Sequence, residues 1–152
     1  MASTYKEDSY FRGPWFSQGA GESLSDITTD RIYVEDDVVK LWRLAKGVVV
    51  VKAWTVSEEL DAHATPTGTA VLELVDGGTT TTLLSYTTAN LGATEVVRET
   101  DTFAGASVVT SSETAYIQFR VATAVATGQL CQIKHAITVS ARAGGRNPWS
   151  PA

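Results

Sequence analysis

Gln129-Leu130-Cys131-Gln132-Ile133-Lys134-His135-Ala136-Ile137-Thr138-Val139-Ser140-Ala141-Arg142 is the stretch that decides the fold. Cys131, Ile133, His135, Ile137, Val139 and Ala141 share one parity. Gln132, Lys134, Thr138, Ser140 and Arg142 share the other. Successive side chains of a strand point to opposite faces, so an apolar/polar period of two predicts a strand buried on one side. At about 3.3 Å per residue it would run roughly 45 Å, the full length of a sandwich.

Upstream, Thr127-Gly128 marks a turn into a second strand over residues 116–125. Ile117, Phe119, Val121, Thr123 and Val125 lie on its apolar face, with Gln118 and Arg120 opposite. Residues 68–76 alternate in the same way, with Ala70, Leu72 and Leu74 on one side and Val71, Glu73 and Val75 on the other. Asp76-Gly77-Gly78 then signals a hairpin, because glycine adopts positive φ at little cost, and residues 79–86 return. Residues 87–92 read as a loop or one helical turn, and 93–98 and 107–110 as weaker strands.

Residues 38–44 and 48–56 are two further strands around a Lys46-Gly47 turn. In the second, Val48, Val50, Lys52, Trp54 and Val56 share one parity, and Val49, Val51, Ala53 and Thr55 the other. Apolar residues on both parities imply a strand covered on both sides over part of its length. Val and Thr dominate throughout, and branching at Cβ favours a pleated backbone over a helix. About eight strands predict an all-β, antiparallel β-sandwich. A jelly roll is the expected winding. An immunoglobulin-like sandwich is the alternative, without its Cys-Trp-Cys signature. The expected core is Leu72, Leu74, Ile117, Phe119, Ile133, Ile137 and Val139.

Residues 1–30 read differently. Tyr5, Tyr10, Phe11, Trp15 and Phe16 stand among Gly, Ser and Asp, and Gly13-Pro14 and Gly19-Ala20-Gly21 interrupt any regular element. The expected organisation is an extended aromatic-rich N-terminal arm over 1–30, the sandwich over 31–142, and an irregular C-terminal tail over 143–152. Aromatic surface left in water is unfavourable, so the arm is expected to dock on its own domain or on a partner. Tyr10, Phe11, Trp15, Phe16 and, in the tail, Trp149 are the candidate partner-binding residues.

The chain has 152 residues, 43% hydrophobic and 19% charged, enough for one domain with a real core. A net charge of −5 argues against general affinity for nucleic acid or anionic membrane. The first residues carry no apolar signal core, and the longest aliphatic run, Val48 to Val51, is too short to span a bilayer. The single cysteine, Cys131, excludes an internal disulfide and a cysteine-based zinc site.

Chemistry-bearing motifs are sparse. His135 falls on the inward face of its strand, where a core or interface role is expected. His63 shares a loop with Glu58, Glu59 and Asp61, which reads as solvated surface rather than a cation site. Glu35-Asp36-Asp37 is spaced as a turn, not as a calcium loop. No nucleophile elbow or phosphate loop is present, and no carboxylate pair is singled out for glycoside hydrolysis. The expectation is a protein that is not an enzyme, with no catalytic residue, metal or cofactor.

One stretch carries a family resemblance. Trp54-Thr55-Val56, then Glu59-Leu60-Asp61, then Thr65-Pro66-Thr67, lead into the strand 69–74 and the acidic-glycine hairpin. Together with the closing strands 115–126 and 128–140, this resembles the capsid decoration (cement) proteins of tailed bacteriophages. The resemblance covers roughly residues 50–140. It implies a β-rich homotrimer on the outer surface of the virion capsid, bound to the major capsid protein and bridging neighbouring capsomers. It brings no catalytic residues. The alternative is a receptor-binding or glycan-binding sandwich module of a tail or head fibre.

Overall fold

The computed structural model describes residues 4–6, 16–17, 22–92, 96–100 and 108–141. The strands are β1 (Thr4–Lys6), β2 (Phe16–Ser17), β3 (Glu22–Arg31), β4 (Val38–Arg43), β5 (Val48–Ser57), β6 (Thr69–Asp76) and β7 (Thr79–Tyr86). A single helical turn, α1 (Thr88–Leu91), precedes β8 (Val96–Thr100), β9 (Val108–Val109), β10 (Tyr116–Thr123) and β11 (Cys131–Ala141).

They form two sheets packed face to face. One has the order β1-β4-β10-β6-β7, the other β2-β3-β11-β5-β8 with β9 also on β5. All pairings are antiparallel except the short β1–β4 contact. Consecutive long strands alternate between the sheets, except at the β6–β7 hairpin. There Asp76 pairs with Thr79 and Gly77 takes φ 63°, the conformation the Gly-Gly pair allows.

The decisive strand follows its period on the inward face, whereas Thr138, expected outward, is buried together with Ala136. β11 is central, between β3 and β5, with Cys131, Ile133, His135, Ile137 and Val139 buried. All seven expected core residues are buried. Phe119 sits among rings, edge-on to Tyr33 at 5.4 Å and Tyr86 at 5.6 Å and tilted against His135 at 5.1 Å. Trp42 Nε1 donates to Ser25 Oγ across the sheets at 3.1 Å, which lets a buried indole keep its polar end satisfied.

Three sequence expectations are corrected. The arm boundary at residue 30 is wrong, because β3 pairs with β11 from Glu22 through Arg31. Ser25, Ile27 and Thr29 are buried there, so a polar-looking segment is half of a strand whose inward face uses small and hydroxyl side chains. In β5 the parity breaks. Thr138 pairs with Lys52 but Val139 with Val50, leaving Val51 as an extra residue. This bulge moves the inward face from Val48 and Val50 to Ala53, Thr55 and Ser57. The apparent two-sided apolar strand is largely that switch of phase. In β10 the register slips between Val121 and Thr123, so Thr123 turns outward to exchange hydrogen bonds with Thr69 and the carbonyl of Thr67.

Candidate interface

Four connections gather at one end of the sandwich: 32–37, 58–68, 87–92 and 124–130. Asp61 fastens two of them. Its carboxylate has no exposed surface and accepts backbone N–H groups from Thr67 at 2.9 Å, Gly68 at 3.1 Å, Ala126 and Thr127 at 3.0 Å, and His63 at 3.2 Å. Burial by itself would raise the carboxyl pKa, but the surrounding N–H groups overcome it and hold the group well below the usual carboxylate range. The N–H groups of Leu60 and Asp61 both bond the Leu91 carbonyl, and Ala62 N–H bonds Thr127 O, so α1 and both loops are tied together. A Cβ at Gly92 would run into the Pro66 ring, and only glycine permits this closeness.

Beside this fastened region the 32–37 connection turns tightly. Asp37 accepts Val34 N–H at 2.9 Å, Asp36 occupies φ 64°, and Asp36 N–H bonds Val121 O. Arg31 pairs with Cys131, so Ile32 and Leu130 continue the two strands opposite each other. Gly128 closes beneath them, with room for a Cβ only 3.1 Å from the Tyr33 carbonyl and 3.4 Å from Ile32 Cγ2.

The consequence is an apolar edge in water. Leu130 is 63% exposed, Ile32 57% and Val34 42%, and these are the large hydrophobic side chains exposed among the described residues. The surrounding exposed charges are mainly acidic: Asp30, Glu35, Asp36 and Glu58. Lys134 is engaged by Asp26 at 3.2 Å and lies over the Trp54 ring at 5.8 Å. An open groove of about 370 Å³ follows on the same sheet, lined by Trp54, Val56, Ser57, Glu58, Gln132 and Lys134.

The sequence-expected anchors fall almost wholly outside what the structure describes. Tyr10, Phe11, Trp15 and Trp149 lie outside the described residues, and of Phe16 only the backbone is described, paired with Leu24. Ile32, Val34 and Leu130 were missed, although a signal existed. The outward parity of β3 runs Asp26, Thr28, Asp30 and then turns apolar at Ile32 and Val34.

Two buried groups with reactive chemistry, Cys131 and His135, are held in their neutral forms. Burial pushes the Cys131 thiol up to about 12, with Glu58 adding to it. Burial also pushes His135 down to about 3, and neither ring nitrogen has a hydrogen-bond partner. Among the described residues no three His, Cys, Asp or Glu side chains gather as metal ligands would. Glu73 is spent on Gln118 at 2.7 Å and Arg120 at 3.0 Å.

No protein-family model matches the chain, and neither does any curated protein. Among solved structures it is similar to a chain of the "Capsid of Ralstonia phage GP4", with 16% identity and a TM-score of 0.70. That match covers 93% of this chain and 100% of the other. It is also similar to a chain of the "Cyanophage Pam1 capsid asymmetric unit", with 19% identity and a TM-score of 0.56, over 83% and 90% of the two chains. At these identities the likeness shows a shared all-β sandwich fold.

Proposed function

We propose that this chain is a structural, non-catalytic protein of a phage virion. It sits on the outer surface of the capsid, bound to the major capsid protein where it bridges neighbouring capsomers. The observation that carries this reading is the likeness to chains of two phage capsid structures, one of them matched over its whole length. The decoration-protein resemblance of residues 50–140 points the same way. The strand order supports reading the sandwich as a jelly roll, since β3-β11-β5-β8 and β4-β10-β6-β7 are the neighbours that two wound Greek keys produce. The quenched states of Cys131 and His135 agree with a scaffold rather than a catalyst.

Physically, a shell gains stability when a third body buries area on two neighbours, because that area must be re-exposed before they separate. A homotrimer multiplies such contacts at one position. The test is add-back of the purified chain to heads that lack it, with occupancy read by cryo-electron microscopy and DNA release followed on heating. Ordered copies on the outside and a higher release temperature support the reading. Heads that take up no protein refute it. Native mass spectrometry decides the trimer separately, and a monomer at micromolar concentration removes that part.

A further inference from the structure

We infer that the edge formed by Ile32, Val34 and Leu130 is the docking surface, and that its occupant is a protein surface presenting aliphatic side chains flanked by Lys or Arg. This rests on the virion reading above and names the chemistry of the partner. Three observations carry it. The edge is apolar and exposed, where a protein outside an assembly usually keeps such side chains inside. It is rigid: Leu130 directly follows Gln129, whose side chain bonds the Glu59 carbonyl at 2.9 Å and carboxylate at 3.0 Å. Ile32 is held over Gly128 beside the Asp61 network. A preorganised surface loses little conformational entropy on docking.

The third observation is charge. Asp30, Glu35, Asp36 and Glu58 are exposed beside the edge, against the half-buried Arg31 within it and Arg120 facing Asp36, so the balance is acidic and the matching surface is basic. The same balance argues against a second copy in a two-fold contact, where acidic rims would face each other.

The experiment uses the full chain and heads lacking it. Leu130→Asp and Ile32→Asp alter exposed side chains, and unchanged urea midpoints verify that both variants fold. Each should weaken binding about tenfold or more, as loss of a central interface side chain does. Asp30→Asn with Glu35→Gln should weaken binding and flatten its dependence on added NaCl. Wild-type chain that fails to bind heads sinks the virion reading and this inference with it. Wild-type binding matched by both Asp variants sinks this inference alone. If Leu130→Asp instead abolishes self-association of the free protein while head binding stays intact, the occupant is a second copy and the assignment is overturned.

Discussion

As pH falls below neutrality, acid should destabilise this fold first through His135. It faces the core with no exposed surface, 5.1 Å from the Phe119 ring, and neither nitrogen finds a partner. Thr55, paired with it across the strands, also leaves its hydroxyl unpartnered. Burial lowers the histidine from 6.5 to about 3. Between those values the unfolded chain binds a proton that the folded chain refuses, so stability falls as pH falls through that window and is unaffected above it. Each pH unit is worth about 1.4 kcal/mol, so from pH 7 to 4.5 the loss is about 3 kcal/mol, and about 4 if carried to pH 3, where the folded histidine itself begins to take up the proton. Urea unfolding of wild type and His135→Leu at pH 7 and pH 4.5 checks this. The variant should be at least as stable at pH 7, since an unpartnered buried polar group costs about 1–3 kcal/mol. It should also lose about 3 kcal/mol less on acidification. Equal losses in the two proteins would show that His135 is not the group excluding the proton.

Asp61→Asn should cost about 3 kcal/mol or more in urea unfolding at pH 7, because a charged acceptor of several backbone N–H bonds is replaced by a neutral amide. The Asp61 contribution is fully present above about pH 4, where the unfolded carboxyl is ionised, and is lost as the pH drops below it, so wild type should show a further acid limb that the variant lacks. Ile137→Ala should cost about 2–5 kcal/mol through lost burial and a cavity, and an unchanged midpoint would place that face outside the core. Deleting residues 1–30 should prevent folding by removing β3 and exposing the flank of β11, while deleting 1–21 should leave a cooperative circular-dichroism melt. The shorter deletion also tests the aromatic arm, since Tyr10, Phe11, Trp15 and Phe16 go with it, and reduced occupancy on heads is the expected result.

The sandwich was legible where one face is apolar and the other polar over many residues. β10 and β11 come nearest to that pattern, and the Asp76-Gly77-Gly78 hairpin joins β6 to β7. What failed to show in the sequence was anything that resets parity. The extra residue at Val51 flips the inward face of β5, yet four consecutive valines leave no mark of where the flip occurs. β3 escaped because its inward Ser25 and Thr29 look like surface residues. Ser25 is buried because Trp42 reaches across to its hydroxyl, and Thr29 because its hydroxyl meets Tyr33 Oη at 2.7 Å. Such pairings are tertiary facts, invisible to any period. The same holds for Asp61, which reads as one acid among three in a loop until the backbone closes around it.

Both ends of the sandwich are fastened by similar means, which separates structural need from interface. At the end away from Leu130, Asp76 accepts Ser111 N–H at 2.7 Å and Ser112 N–H at 2.9 Å. There too Thr110 Oγ1 donates to Ala45 O at 2.6 Å and accepts Val48 N–H at 2.9 Å. Closing loops with side-chain to backbone hydrogen bonds is therefore common to both ends of this fold, and rigidity alone singles out neither. Among the described residues, the asymmetry lies in the side chains left outside. Large exposed aliphatics stand at the Asp61 end, where the turn chemistry of 32–37 and the closure over Gly128 would work equally well with polar side chains at Ile32 and Leu130. Folding of the single chain gives no reason to keep them apolar. Burial against a partner does, at about 25 cal/mol for each Å² removed from water.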